Sequence, residues 1–256
     1  MHQAYLLVAH GSRDPRPQRA LKALAQALDP GQAPVYTALL ECHPQPLHEQ
    51  ILELAFLLST QKYQRLVVLP LFLGQGLHVQ TDLPREWALA LAQLPPGLTL
   101  NILPTLGEHP LLRQLLERRL PAPESNVVRI LLAHGSRYPA GNESFLALAQ
   151  SLGAEVAYWS ISPTLEEYLQ GLTSPPGAGV FIQPFFLFPG GLTDTIAVQR
   201  EALQVQYPWE LILGAPLAAP PFDPNFLSLI AQTLWPSLPP SAQFTWSAPA
   251  PAIRDS

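Results

Sequence analysis

The chain has 256 residues, of which 48% are apolar and 13% charged, and its formal net charge is −5. This apolar share supports a folded core. The net negative charge, without a run of basic residues, argues against nucleic acid as a partner. The single cysteine, Cys42, excludes a disulfide framework and a CxxC motif. No signal peptide and no run of 18 apolar residues is recognisable, so we expect a cytoplasmic protein without a membrane span.

Short apolar runs alternate with segments whose apolar residues have helical spacing. The predicted strands of the first half are 4–9, 35–40, 66–72 and 98–103, and its predicted helices are 17–28, 47–58, 79–93 and 109–120. The strand candidates are apolar on both faces, as strands covered by helices are. They therefore predict an α/β fold with a parallel sheet.

The second half repeats the first. The segment LLVAHGSR at 6–13 recurs as ILLAHGSR at 130–137, and LPLFL at 69–73 recurs as QPFFL at 183–187. The predicted strands of the second half are 127–133, 155–160, 179–186 and 211–214, and its predicted helices are 142–151, 163–171, 192–205 and 222–234. Two copies in the same order predict two similar lobes, each a parallel sheet of about four strands flanked by helices.

Proline-rich segments suggest where the lobes begin and end. We predict an N-terminal lobe over 1–120, a stiff linker over 121–126, a C-terminal lobe over 127–235 and a proline-rich, disordered tail over 236–256. All seven histidines lie within the first 134 residues. Any chemistry that depends on imidazole therefore belongs mainly to the N-terminal lobe.

Three side chains follow the predicted strands of that lobe. His10 comes directly after the first strand, Glu41 ends the second, and His78 follows the third. Ligands of parallel α/β sheets bind beyond the carboxyl ends of the strands, so these residues could share one rim. Two imidazoles and a carboxylate suit Fe²⁺, Co²⁺ or Ni²⁺ and leave coordination positions open. Spacing alone leaves an alternative, in which His10 bonds its own backbone loop and His78 is a surface residue at a helix start.

Longer motifs surround these residues. They are AHGSR at 9–13, LPLFL at 69–73 followed by GLHVQTDLP at 76–84, and LGEHPLL at 106–112. With these motifs the chain resembles the SirB/CbiX family of sirohydrochlorin chelatases, which have the class II chelatase fold, through both copies to about residue 234. The resemblance implies a lyase that inserts Co²⁺ or Fe²⁺ into sirohydrochlorin for cobalamin or siroheme biosynthesis, in a cleft between the lobes. The metal is then a substrate, and no prosthetic group is implied.

The resemblance also implies roles for individual residues. His10 and His78 would bind the metal, at least one of them would accept pyrrole N–H protons, and Glu41 resembles the family's acidic residue at the end of the second strand. The residues expected to contact the tetrapyrrole are Ser12, Arg13, Gly76 and His134. Two of these have alternatives: Arg13 could meet a substrate carboxylate or be a solvated loop cation, and His134 could face the substrate or be a structural loop residue.

The second copy departs from this pattern. It keeps His134 as the counterpart of His10, but Leu192 stands where the first copy has His78, and Glu41 aligns with Tyr158 or Trp159. We therefore expect a degenerate lobe that closes the cleft without a metal site. Since one chain supplies both walls, a monomer would suffice.

The remaining candidates have simpler interpretations. Cys42 is interpreted as a buried structural thiol rather than a metal ligand. His43 and His48, which flank a predicted helix start, are interpreted as part of a solvated face rather than as residues that gather metal, and His109 as a helix cap. The aromatic residues interpreted as strand core rather than pocket lining are Phe185, Phe186 and Phe188.

Two other functions stay open at this stage. One is a non-catalytic metal carrier or tetrapyrrole-binding protein on the same fold, and the other is an enzyme that acts on a different tetrapyrrole, such as protoporphyrin. Hydrolases and nucleotide enzymes lack their usual signals, because the chain has no GxSxG, P-loop or GxGxxG motif.

Overall fold

A computed structural model describes residues 2–28, 33–123, 126–137, 140–172 and 179–235. The first lobe contains β1 (Gln3–Ala9), α1 (Pro15–Leu28), β2 (Val35–Leu39), α2 (Leu47–Thr60), β3 (Arg65–Pro70), α3 (Leu83–Leu91), β4 (Thr99–Ile102) and α4 (Pro110–Arg119). A π-helical turn at His78–Asp82 leads into α3, and a 3₁₀ turn at Leu106–Glu108 precedes α4. All four strands are parallel, in the order β2-β1-β3-β4.

The second lobe repeats this arrangement. It contains β5 (Val127–Ala133), α5 (Ala140–Ser151), β6 (Glu155–Tyr158), α6 (Leu165–Gln170), β7 (Gly179–Pro184), α7 (Gly191–Gln204), β8 (Leu211–Leu213) and α8 (Pro224–Leu234). Its strands are parallel in the equivalent order, β6-β5-β7-β8. The expected pair of four-stranded parallel sheets is therefore confirmed.

Alternate residues of the inner strands β1 and β5 face different cores, because successive side chains of a strand point to opposite faces of the sheet. Tyr5 and Leu7 of β1 and Leu131 of β5 contribute to one large core, which also contains apolar residues of α1, α4, α5 and α8. Leu6 of β1 faces a second core under α2 and α3, and Ile130 of β5 faces a third under α6 and α7. The helices of the large core lie between the two sheets, so the lobes share one continuous apolar interior.

Most of the observed boundaries differ from the predicted ones, by one or two residues. β3 and β7 end at the prolines of the repeated motif, Pro70 and Pro184, two residues earlier than predicted. The helix predicted over 79–93 begins one residue earlier, as a π-helical turn, and α3 itself ends at Leu91. The proposed lobe boundaries stay a prediction, and the tail at 236–256 lies outside the described residues. Within the described ranges, no helix is long and apolar enough to cross a membrane.

Candidate metal centre

The ends of three adjacent strands bring the candidate ligands of the first lobe together. β1 lies between β2 and β3 in the sheet, so the loops that follow these strands meet at one edge. Beyond the strands, the N–H of Leu40 donates to the carbonyl of Ala9 at 2.9 Å, and the N–H of Glu41 donates to the carbonyl of His10 at 2.8 Å. These two hydrogen bonds extend the parallel pairing past β2 and fix Glu41 beside His10.

His10, Glu41 and His78 form a compact cluster of metal-ligand groups. Nδ1 of His10 lies 3.8 Å from Oε2 of Glu41, and Nδ1 of His78 lies 3.8 Å from Oε1 of the same carboxylate. The two imidazole rings meet edge to face, with centroids 4.4 Å apart and planes at 89°. Within the part of the chain that the structure describes, this is the one group of three such residues whose ligand atoms all lie within 4.8 Å of one another.

The cluster is open to solvent. The side chains of His10 and Glu41 are each 48% exposed, and that of His78 is 36% exposed. A structural metal site is usually closed by four protein ligands, whereas a site that must exchange ligands keeps positions open. Three side chains at an exposed edge are therefore suited to a metal that arrives and leaves.

Gly11 allows the first loop to pass close to Glu41. Its φ is +98°, and a Cβ at this position would lie 2.0 Å from the carbonyl oxygen of Glu41. Only glycine tolerates both the backbone conformation and this contact. The HG pair of the motif therefore sets the separation between His10 and Glu41.

The two imidazoles use Nδ1 for local contacts. Nδ1 of His78 lies 2.8 Å from Oδ2 of Asp82, one π-helical turn further on, and Nδ1 of His10 lies 3.2 Å from the carbonyl of Gly11. With Nδ1–H donated in this way, Nε2 of each ring keeps a free lone pair. The backbone contact foreseen for His10 in the alternative interpretation is thus present, and His10 also belongs to the cluster. Asp82 was missed as a partner of His78, although its spacing of four residues within the motif was a usable signal.

The loop that carries Glu41 is held from behind by Gln50 of α2. Its Oε1 accepts the N–H of Leu39 at 3.1 Å, and its Nε2 donates to the carbonyls of Leu39 and Gln45 at 2.8 and 3.0 Å. One amide side chain therefore joins the two ends of the loop. The prediction that Cys42 is buried is wrong: it is exposed with φ +58°, because the chain turns away from the sheet here.

His43 and His48 differ, although both were expected on a solvated face. His43 is exposed, as expected, and its Nδ1 lies 3.2 Å from both the backbone carbonyl oxygen and the backbone nitrogen of Gln45. The expectation was wrong for His48, whose side chain is only 19% exposed and whose Nδ1 lies 2.7 Å from Oε2 of Glu86. Glu86 is itself buried, and the hydrogen bond to its carboxylate keeps the side chain of His48 mostly buried.

The four residues expected to contact the tetrapyrrole lie in the loops around this edge and on the second lobe. Oγ of Ser12 accepts the N–H of Asp14 at 3.1 Å, and the side chain of Arg13 is exposed. The carbonyl of Gly76 accepts the N–H groups of Val79 and Gln80, in the turn that leads into the π-helical segment.

His134 is exposed at the equivalent position of the second lobe. Its carbonyl accepts the N–H of Ser160 at 2.9 Å, and the carbonyl of Ala133 accepts that of Trp159, which repeats the pattern around Glu41. The counterpart of Glu41 is therefore Ser160, and the alignment with Tyr158 or Trp159 was wrong, because the pairing continues two residues past β6. Oγ of Ser160 donates to the carbonyl of His134 at 2.8 Å. A hydroxyl replaces the carboxylate, so this lobe cannot form the same cluster.

His109 behaves as predicted, but the prediction of strand core was wrong for the three aromatic residues, because β7 ends at Pro184 and they lie in the loop that follows it. Nδ1 of His109 accepts the N–H of Leu111 at 3.2 Å and so caps α4, and burial lowers the pKa of His109. Phe185 is buried against Phe145, with ring centroids 5.1 Å apart. Phe186 and Phe188 are partly buried and pack against the cores.

An ion pair joins the two lobes beside the HGSR loop. Nη2 of Arg16 lies 2.6 Å from Oδ2 of Asp14 in its own lobe and 2.6 Å from Oδ2 of Asp194 in α7. The hydrogen bonds from Arg16 lower the pKa of Asp14 to about 2. The sequence contains no signal for this contact, since Arg16 and Asp194 are 178 residues apart.

Sequence comparisons relate the chain to a known family and to a curated protein. A family model described as CbiX matches residues 4–122 and 128–233. The sirohydrochlorin ferrochelatase of Bacillus subtilis (strain 168) is 24% identical over 246 residues, which cover 91% of this chain and 92% of that protein.

Two solved structures have a similar fold. SirB from Bacillus subtilis with Fe³⁺ superposes with a TM-score of 0.73 at 22% identity, over 96% of this chain and 100% of that one. The sirohydrochlorin chelatase SirB from Bacillus subtilis subspecies spizizenii in complex with cobalt gives a TM-score of 0.69 at 22% identity, over 91% of this chain and 94% of that one. The two-lobed α/β architecture is therefore shared with these proteins.

Proposed function

The chain belongs to the CbiX family, and from that premise we propose that it is a chelatase that inserts Fe²⁺ or Co²⁺ into sirohydrochlorin. The observation that carries the proposal is the cluster of His10, Glu41 and His78, whose ligand atoms lie within 4.8 Å of one another at an open edge of the first sheet. The product would serve siroheme synthesis with iron or cobalamin synthesis with cobalt.

The donor set fits the first task of a chelatase, which is to hold a divalent metal and release it. Two imidazoles and one carboxylate suit borderline cations such as Fe²⁺ and Co²⁺. They displace part of the water around the ion but leave coordination positions open. The nitrogens of the macrocycle can then replace the protein ligands one after another.

The second task is to remove protons. Insertion of M²⁺ into the free macrocycle releases two pyrrole N–H protons, so two bases are needed near the ring. Imidazole is the side chain that accepts protons near neutral pH. We propose that His10 and His78 bind the metal and that at least one of them takes a proton as the metal leaves it.

The third task is to bind the substrate. Sirohydrochlorin carries eight carboxylates, and an exposed guanidinium is a strong partner for a carboxylate. Arg13 is exposed three residues after His10, which supports a role for it in binding one of these groups. Ser12 and Gly76 would line the same edge, and His134 would contact the ring or its side chains from the second lobe.

The second lobe would provide the opposite wall. It has Ser160 in place of the carboxylate and Leu192 in place of the second imidazole, so we propose that it shapes the cleft and leaves metal binding to the first lobe. One chain contains both walls, which supports activity as a monomer.

The test is turnover of sirohydrochlorin. Loss of the absorbance of the free tetrapyrrole is followed with Co²⁺ or Fe²⁺ in the wild-type protein, in His10→Ala and in His78→Ala. His43→Ala is the matched control, because His43 is an exposed histidine of the neighbouring loop outside the cluster. We expect both cluster variants to lose turnover and the control to keep it.

Two results would contradict the proposal. A wild-type protein that binds sirohydrochlorin without metallating it would be a carrier rather than a chelatase. Faster metallation of protoporphyrin than of sirohydrochlorin in parallel assays would identify a different substrate.

A further inference from the structure

Two of the candidate metal ligands lie in separate segments. Glu41 lies in the loop before α2, and His78 opens the π-helical turn before α3. The distance between them depends on how the starts of these two helices are held together. A buried carboxylate, which no step described above uses, lies at this junction.

That carboxylate is Glu86 of α3, which is only 5% exposed. Its Oε2 accepts two hydrogen bonds from His48, one from the backbone N–H at 3.0 Å and one from Nδ1 at 2.7 Å. Its Oε1 accepts from Arg85 at 3.2 Å. Burial alone would raise the pKa of Glu86, but the hydrogen bonds from His48 and Arg85 outweigh it and lower the pKa. The side chain is therefore charged where it meets α2.

The contact reaches the Glu41 loop through α2. His48 is the second residue of α2, and Gln50, two residues further on, bonds both ends of the loop at Leu39 and Gln45. On the other side, α3 continues directly from the π-helical turn that contains His78. Glu86 thus joins the helix that follows His78 to the helix that holds the Glu41 loop.

Simple packing of the helices does not require this carboxylate. α2 and α3 already share an apolar core, to which Ile51 and Leu58 of α2 and Leu83 of α3 contribute. Burying a carboxylate is costly unless its oxygens are satisfied by donors. Here two of the three donors come from His48 in the first turn of α2, at the end of the helix nearest to the Glu41 loop.

We infer that Glu86 is a positioning residue for metal binding, which fixes Glu41 at the correct distance from His78 by tying the first turn of α2 to α3. This inference rests on the proposed function, because it assumes that the cluster binds the metal. Glu86 itself does not touch the metal or the tetrapyrrole.

The experiment measures Co²⁺ affinity directly. The full chain is titrated with Co²⁺ without tetrapyrrole, and the visible absorbance of the bound ion gives the Kd. Glu86→Ala removes the acceptor, and Glu86→Gln keeps one oxygen for His48. Leu58→Ala is the matched control, because Leu58 is a fully buried residue of the same core near the far end of α2.

We expect Glu86→Ala to weaken Co²⁺ binding about tenfold, in the range usual for residues that orient metal ligands. Glu86→Gln should recover most of this loss. In turnover assays, the KM for Co²⁺ should rise by a similar factor, while kcat at saturating Co²⁺ stays within about twofold. Leu58→Ala should lower the Tm but leave the Kd for Co²⁺ unchanged. If Glu86 only stabilised the fold, the two variants would affect Co²⁺ binding alike.

The outcomes separate this inference from the proposed function. If the wild-type protein binds neither Co²⁺ nor, in a parallel titration, Fe²⁺, both are overturned. If it binds Co²⁺ and folded Glu86→Ala binds it equally well, or if Leu58→Ala weakens binding as much, only the positioning role is overturned. Should Glu86→Ala fail to fold, His48→Ala removes the 2.7 Å hydrogen bond from the other side. That variant should weaken binding about threefold, and an unchanged Kd would overturn the inference.

Discussion

Gly11→Ala tests how the HGSR loop sets the geometry of the cluster. A Cβ at Gly11 would lie 2.0 Å from the carbonyl oxygen of Glu41, whereas an ordinary contact is 3.4 Å or more, so the two loops must separate by more than an ångström. An L-residue in the left-handed region costs about 1–2 kcal/mol, and overpacking of this kind adds about 1–3 kcal/mol. We expect the free energy of unfolding to fall by about 2–5 kcal/mol and Co²⁺ affinity to fall at least about tenfold.

Gly97→Ala is the matched control for backbone strain. Gly97 also has a positive φ, +84°, but a Cβ there would meet nothing within 4 Å. Its cost is therefore limited to about 1–2 kcal/mol, without any effect on the metal. Urea unfolding and Co²⁺ titration of both variants give the comparison. Equal Co²⁺ affinity in Gly11→Ala and Gly97→Ala would refute the view that Gly11 fixes the distance between His10 and Glu41.

Two further predictions follow from single contacts. Asp82→Ala should lower Co²⁺ affinity about tenfold by releasing the ring of His78, and Asp82→Asn should lower it less because its amide oxygen still accepts from Nδ1; wild-type affinity in both would contradict this. Burial lowers the pKa of His109 from its usual 6.5. As the pH falls below about 6.5, the unfolded chain therefore binds more protons than the folded protein, and the free energy of unfolding decreases. His109→Asn keeps an acceptor for Leu111 but does not titrate, so urea unfolding should show a smaller loss of stability between pH 7.5 and pH 5, and an equal loss would assign it to other groups.

Most of the fold could be predicted because it depends on local patterns. The repeated HGSR and proline motifs fixed the number of lobes, and runs of apolar residues located the strands. The rule that ligands bind beyond the carboxyl ends of parallel strands then placed His10, Glu41 and His78 at one edge, although they are far apart in sequence. Neither step needs knowledge of side-chain packing.

The features that were missed depend on contacts between distant segments or on the exact path of a loop. Helical spacing does not reveal a π-helical turn, and the spacing of four residues between His78 and Asp82 was the one sequence signal for their contact. The bond between His48 and Glu86 joins two residues that are 38 positions apart in the sequence and lie on different helices. Ser160 was misaligned because the strand pairing continues into the loop, and Cys42 was placed in the core by its residue type, although the backbone turns outward there.

The most direct test of the central claim is to locate the metal. Crystals grown with Co²⁺ can be measured at the cobalt absorption edge, where anomalous scattering identifies the ion without reference to its surroundings. We predict one strong peak between His10, Glu41 and His78, within coordination distance of one ring nitrogen of each histidine. A peak beside His134 and Ser160 in the second lobe, or at His43, with none at the first cluster, would contradict the claim.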